Sequence, residues 1–308
     1  MLFFWKRKET GATVSKSNHS ACLTGLFGHP VEHSLSPVFM NRLFSILRMS
    51  ARYFAFDIEP ENITTAFAAL KILDFVGVNV TIPYKQAALQ HTDHLSEDAR
   101  SIGAVNCVVH REGTLLGHNT DHLGFITPLE THRENLEGSA VLLIGCGGAA
   151  RSVLFALMKK GVKKVHLVNR TEENAMAFIR WSEERIGFRA ISYTGDARAI
   201  TPQLLDEVDV VVHTTPVGMF PEIGSIPIPE NLRLAPGQIV YDLIYNPWKT
   251  RLLQKAQKEG ATAINGFEML ILQGLHSLAL WFPEKKSALF HLRRRICRYT
   301  KKRLQEKG

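Results

Sequence analysis

Residues 141–151 read VLLIGCGGAAR, and this stretch narrows the choice of fold more than any other in the chain. An apolar run, Val141 to Ile144, passes directly into Gly145, Cys146, Gly147, Gly148, Ala149 and Ala150, and a helical pattern follows through Lys160. Strand, glycine turn and helix in that order form the start of a parallel βαβ unit. The glycines permit a tight turn and let backbone N–H groups approach a pyrophosphate, while the helix N-terminus adds its positive dipole end. Gly145, Gly147, Gly148 and Ala149 are therefore expected to hold a dinucleotide. The next strand, residues 164–168, ends in Asn169, Arg170 and Thr171. An acidic residue there would bind a ribose 2′-hydroxyl. Arg170 instead offers a fork to a 2′-phosphate, which predicts NADP as cofactor. Glu172 and Glu173 follow at once and would oppose that phosphate if they pointed inward.

At 308 residues the chain has room for two domains. Hydrophobic content of 45% and charged content of 21% fit a globular protein. No apolar run reaches the roughly 18 residues of a membrane span. The opening MLFFWKRK places its apolar patch before its basic cluster, the reverse of a secretory signal. Four widely spaced cysteines without a CxxC pair indicate neither a metal site nor a disulfide framework, and point to a reducing cytoplasm. The net charge of +8 is local: residues 284–308 hold ten Lys or Arg against Glu284 and Glu306, so the rest of the chain balances to zero. That places the basicity in a tail and not in a nucleic-acid-binding body. Leu289, Leu292, Ile296 and Tyr299 recur there at helical spacing. A solvated amphipathic helix fits this pattern; contact with an acidic surface, a membrane or RNA is the alternative.

Strand-like and helical runs alternate, which predicts an α/β protein with mainly parallel sheet. Strands are expected at 23–28, 53–58, 76–81, 104–109 and 114–117, with helices at 37–49, 60–73 and 95–102. A helix at 121–132 leads into the polar stretch 133–139. A second strand series follows at 140–144, 164–168, 188–191, 208–212, 238–242 and 261–264, and a long apolar helix at 266–282 comes after it. A flexible N-terminal extension (1–20), a domain boundary within 133–139 and the basic tail (285–308) are expected to frame two α/β series.

Polar side chains of the N-terminal half gather in four short segments. GVNVTIPYK, residues 77–85, ends a strand with Asn79, Thr81 and Lys85. An amide, a hydroxyl and an ammonium are poor core material, because buried polar groups need partners. They suit a small polyhydroxylated molecule, or else an ordinary strand edge. In GHPVEHSLSPVFMN, residues 28–41, Ser34 and Ser36 stand just before a helix that Pro37 begins. Hydroxyls at a positive helix end suit a carboxylate, and Ser34 also suits a plain N-cap. IGAVN (102–106) and GHNTD (117–121) complete the set.

In order and spacing these segments resemble the shikimate dehydrogenase family, together with the glycine loop, NRT (169–171), TPVGM (215–219), DLIYNP (242–247) and NGFEMLILQ (265–273). The resemblance runs from about residue 23 to residue 281, and the architecture it implies is a substrate-binding α/β domain (21–123 plus 265–284) and a Rossmann-like nucleotide-binding domain (124–264) with the ligand cleft between them. The resemblance also implies reversible reduction of 3-dehydroshikimate to shikimate by NADPH, a step toward aromatic amino acids. It further implies that Lys85 and Asp121 are the catalytic pair and that Ser34 and Ser36 hold the substrate carboxylate. Thr81, Asn106, Tyr245 and Gln273 then contact the substrate, while Thr215 and Gly266 join Asn169, Arg170 and Thr171 around the cofactor. A small-molecule partner, no nucleic acid and a monomer or homodimer complete the expectation. The chain departs from the family pattern in Met40, in His213 where Asn is frequent, and in Asn174 where a second basic residue commonly stands. Asn174 with Glu172 and Glu173 predicts weaker discrimination for the 2′-phosphate. Alternatives are a quinate/shikimate dehydrogenase with NAD or dual cofactor use, which Ser34, Ser36 and Arg170 oppose, and a non-catalytic metabolite-binding paralogue, which intact Lys85 and Asp121 oppose.

Overall fold

The computed structural model describes residues 21–306; the expected N-terminal extension, 1–20, lies outside the described residues. The first series of elements is β1 (Cys22–Gly28), α1 (Ser36–Ile46), β2 (Ala51–Asp57), α2 (Ile63–Ile72), β3 (Gly77–Val80), β4 (His94–Leu95), α3 (Glu97–Ile102), β5 (Cys107–Arg111) and β6 (Thr114–His118). α4 (Asp121–His132) leads to β7 (Ala140–Ile144), α5 (Gly148–Lys159), β8 (Lys164–Val168), α6 (Glu172–Trp181), β9 (Ile191–Gly195) and α7 (Pro202–Asp206). β10 (Val210–His213), β11 (Ile239–Asp242), α8 (Arg251–Lys258) and β12 (Thr262–Asn265) complete the second series. α9 (Phe267–Trp281), α10 (Lys286–His291) and α11 (Arg293–Gln305) follow.

The second sheet has the order β12-β11-β10-β7-β8-β9, and all its pairings are parallel. Its central strands are unbroken apolar runs, with Val141 to Leu143 and Val210 to Val212 fully buried, as helices on both faces require. The chain leaves β7 toward β8 on one side and returns through β10 on the other. The crevice beyond the carboxyl ends of β7 and β10 is therefore the place where a sheet of this kind takes a ligand.

The first sheet has the order β2-β1-β3-β5-β6-β4. β1 pairs in parallel with β2 and β3, and β4 with β6, while β5 runs antiparallel to both β3 and β6. The antiparallel strand has a consequence for chemistry. The ends of β1, β3 and β6 and the start of β5 all fall at one end of the sheet, so residues 28–29, 81–85, 104–106 and 119–121 converge. α9 closes over this sheet, with Ile271, Leu275 and Leu278 in one core with Phe39, Leu43 and Tyr53, and Trp281 Nε1 donating to the Val108 carbonyl at 2.9 Å.

Two expectations need correction. The strand expected at 188–191 begins instead at Ile191. Phe188 is drawn into the core: its N–H donates to the Ser182 carbonyl at 3.0 Å and its own carbonyl accepts from Ser182 Oγ at 2.9 Å. The basic tail is also not a solvated helix. Leu289 and Ile296 enter the core shared with α1 and α9, burials worth about 1.5–3 kcal/mol each. Arg293 pairs with Glu268 of α9, and Arg42 of α1 lies 5.1 Å from the ring centroid of Tyr299. Among the described residues, no helix is long and apolar enough to cross a membrane.

Candidate active site

Where the four segments of the first sheet meet, Lys85 Nζ lies 2.6 Å from Asp121 Oδ2. Their side chains are 15% and 6% exposed, so the pair is screened by protein yet open on one side. Asp121 is the first residue of α4, where a carboxylate faces the positive end of the helix dipole. Asn106 fixes its other oxygen: Asn106 Nδ2 donates to Asp121 Oδ1 at 2.8 Å, with Thr120 Oγ1 at 3.0 Å and Gln273 Oε1 at 3.3 Å from the same nitrogen. Asn106 Oδ1 in turn accepts from the Thr120 N–H at 2.6 Å. A buried amide with both ends engaged defines one orientation for the carboxylate it holds. Gln273, on α9, reaches this group from near the end of the chain, and its Nε2 donates to the Leu270 carbonyl at 2.8 Å. The close approach of α4 and α9 depends on Gly124. A Cβ there would stand 2.8 Å from the Met269 carbonyl and 3.0 Å from Gln273 Cβ.

Asn79 has a different role from its neighbours. It accepts from the Tyr53 hydroxyl at 3.0 Å and donates to the Asn106 carbonyl at 3.1 Å and Ser277 Oγ at 2.8 Å. Every one of those partners is protein and buried, so Asn79 braces the floor of the site. Thr81 is half-buried at the strand end, and its hydroxyl makes no hydrogen bond to protein among the described residues. Ser34 is half-buried and Ser36 buried; Ser34 Oγ accepts from the Ser36 N–H at 3.2 Å, and α1 has no other side-chain cap. Burial holds the Tyr245 phenol above its usual range, against the Leu35 backbone and the Ser34 hydroxyl, which pull the other way. Tyr245, from the segment after β11, thus packs against the core of the first sheet beside Leu35 and Ser34. Cys107 lies beneath; burial pushes its thiol up to about 12, so it remains protonated and takes no nucleophilic part.

The glycine turn lies directly across from Lys85. A Cβ placed on Gly148 would lie 3.3 Å from Lys85 Cβ and 3.7 Å from its Cδ. Gly145 has φ 104° and packs against Thr214 and Thr215 of the segment after β10, a conformation that favours glycine. Gly147 N-caps α5 with no side-chain cap and no acid in the first turn, and a Cβ on it would meet nothing within 4 Å. Ala149 is half-buried in that first turn. Open space above uncapped N–H donors fits a dinucleotide pyrophosphate. At the end of β8, Asn169 Nδ2 donates to the Thr171 carbonyl at 2.8 Å. Arg170 is exposed and makes no ion pair among the described residues, while Glu172 and Glu173 sit exposed in the first turn of α6. This end of the strand can take a ribose phosphate. Gly266, at the N-cap of α9, packs against the backbone of Leu243.

Two features of this site were not singled out from sequence, and the partners of a third, His213, were not foreseen either. Asn119 Nδ2 donates to Ser152 Oγ of α5 at 3.0 Å, and Asn119 Oδ1 accepts from the Asp121 N–H at 3.1 Å. Trp181 Nε1 donates to the Ser101 carbonyl at 3.2 Å, with Arg151 stacked 4.8 Å from the Trp181 ring centroid. His213 is fully buried, its Nδ1 2.9 Å from Asp242 Oδ1 and its Nε2 against the Thr215 hydroxyl. Thr250 Oγ1 donates to the other Asp242 oxygen at 2.6 Å. The departure at His213 thus brings its own partners. The only sequence signal for them was a polar residue ending each of two apolar strands.

Residues 26–108 match the family described as "Shikimate dehydrogenase substrate binding domain", and residues 129–217 match "Shikimate / quinate 5-dehydrogenase". A relative from Geobacillus kaustophilus (strain HTA426), "Shikimate dehydrogenase (NADP(+))", is 42% identical over 258 residues, which are 83% of this chain and 91% of the relative. A solved shikimate dehydrogenase in complex with NADP+ has a TM-score of 0.78 at 36% identity, covering 88% of this chain and 95% of that one. The shikimate 5-dehydrogenase of Thermus thermophilus, solved with NADP(H) and shikimate, has a TM-score of 0.74 at 34% identity, covering 89% of this chain and 99% of that one. With the glycine turn, the Lys85–Asp121 pair and these likenesses together, the chain belongs to the shikimate dehydrogenase family.

Proposed function

We propose that this chain reduces 3-dehydroshikimate to shikimate, reversibly and with NADPH, using Lys85 and Asp121 as its catalytic pair. NADPH, when bound, supplies the hydride. Reduction of a carbonyl builds negative charge on its oxygen, and the Lys85 ammonium stabilises that charge and delivers a proton to it. Asp121, oriented by Asn106, keeps the ammonium aimed at the reacting oxygen and accepts from a ring hydroxyl. Thr81, Asn106 and Gln273 bind the ring hydroxyls. Ser34, Ser36 and Tyr245 bind the carboxylate.

Gly145, Gly147, Gly148, Ala149, Thr215 and Gly266 form the cofactor cradle. Asn169, Arg170 and Thr171 hold the ribose phosphate, and the absence of a protein partner for Arg170 among the described residues supports NADP over NAD. Residues 21–123 plus 265–284 act as the substrate-binding domain and 124–264 as the cofactor-binding domain. The enzyme works as a monomer or homodimer in the cytoplasm, in keeping with its four free thiols.

The observation that carries this reading is the 2.6 Å Lys85–Asp121 pair packed against Gly148. Among the described residues, only there do a proton donor and a dinucleotide turn share one crevice. Initial rates of shikimate and quinate oxidation, each with NADP and with NAD, test it. Shikimate with NADP is expected to dominate. Quinate turnover comparable with that of shikimate, or NAD used as readily as NADP, overturns the narrower assignment.

A further inference from the structure

A cavity of about 570 Å³ lies between α11, the start of α9 and α8 with the loop before it, and it shares no lining residue with the Lys85–Asp121 site. Lys249, Arg293, Arg294, Arg298 and Lys301 line it against a single carboxylate, Glu268. Glu268 pairs with Arg293, and the Lys301 ammonium lies 4.3 Å from the ring centroid of Trp248. Lys249, Arg294 and Arg298 are left without a carboxylate partner among the described residues. Cations gathered around one hollow repel each other, and the hollow concentrates their field on any anion that enters. Arg294 and Arg298 stand one helical turn apart on α11, so both guanidinium forks face the same side. Lys249, in the loop before α8, lines the same hollow from a different part of the chain. The volume falls within the roughly 300–1,000 Å³ of small-molecule sites.

We propose that this cavity binds a small, multiply phosphorylated anion, held by Lys249 together with Arg294 and Arg298. The forked guanidinium groups take the phosphate oxygens in pairs, and Lys249 acts as a point charge. Because α11 packs on α1 and α9 while Lys249 precedes α8, an occupant ties the helices of one sheet to those of the other.

Isothermal titration of the full chain with inorganic tripolyphosphate, in saturating NADP to fill the cofactor cradle, tests the site. One saturable site is expected, weakening as salt rises from about 50 to about 200 mM. The double variant Arg294→Gln/Arg298→Gln is expected to weaken it by about tenfold or more, while its shikimate oxidation stays unchanged. Arg170→Ala should leave tripolyphosphate binding intact, which separates this site from a cofactor phosphate subsite. If the double variant fails to fold, Lys249→Gln makes the same test from the loop before α8. Magnesium-free ATP as a second titrant distinguishes the source: equal affinity assigns recognition to the phosphate chain, and tighter binding adds contact with the Trp248 ring. No saturable binding at low salt overturns the proposal. So does binding that survives in the Gln variants but disappears in Arg170→Ala.

Discussion

Asn119 and Ser152 join the two halves of the crevice: Asn119 Nδ2 donates to Ser152 Oγ at 3.0 Å, and Asn119 Oδ1 accepts from the Asp121 N–H at 3.1 Å. The helix that begins at the glycine turn is therefore two hydrogen bonds from the Asp121 backbone. Ser152→Ala removes the first link and leaves the Asn119 amide nitrogen with only the Ala104 carbonyl, at 3.0 Å. A looser Asp121 is expected to lower kcat about three- to tenfold, the effect of about 1 kcal/mol at the transition state, with little change in KM for shikimate. Steady-state kinetics check this; an unchanged kcat would mean that the link is only structural.

Asn79→Ala should act on stability and not on substrate affinity. The substitution strands the buried Tyr53 hydroxyl and removes the amide donors to Ser277 Oγ and the Asn106 carbonyl. Unsatisfied buried groups of this kind cost about 2–4 kcal/mol in total. Urea unfolding should show that loss, while KM for shikimate in the folded variant stays near the parent value. A large rise in KM would make Asn79 a substrate contact after all.

Much of this arrangement was legible because it lies in local pattern. The strand, glycine turn and helix at 141–159 announce themselves through apolar run and glycine spacing, as do the polar residues that end β3. What stayed hidden depends on pairs far apart in sequence. Gly124 reads as a poor helix residue until Met269 and Gln273 are seen against it. His213 reads as a deviation until Asp242 and Thr215 are seen on its two ring nitrogens. The tail misleads for a related reason: its charge is visible along the chain, but the core that receives Leu289 and Ile296 is built by α1 and α9. β9 starts late because the Ser182–Phe188 contacts compete with sheet pairing.

Acid should destabilise the fold through His276. Burial, with His122 and Lys286 nearby, lowers its pKa to about 4 from 6.5, and its ring lies 4.9 Å from that of Phe290. Between pH 6.5 and about 4 the unfolded chain takes up a proton that the native imidazole refuses. Stability from this group is present above pH 6.5 and is lost as pH falls through that window. After a discount for partial exposure, the loss is about 1–3 kcal/mol. Urea unfolding at pH 7.5 and pH 4.5 measures it, and His276→Phe should reduce the difference, leaving the part due to His118, His122 and His166, whose pKa values burial also lowers. An equal acid loss in that variant would assign the effect to other groups.

The central claim is that the Lys85 ammonium, not merely its side chain, drives the reaction. Its stem packs at Gly148, so Lys85→Met keeps that contact and removes the charge. Shikimate oxidation by this variant under saturating NADP, with NADPH affinity measured by fluorescence titration, is the most direct test. The expected result is a fall in kcat of about 10²-fold or more with NADPH affinity within about twofold of the parent. Turnover at the parent rate would contradict the role assigned to Lys85.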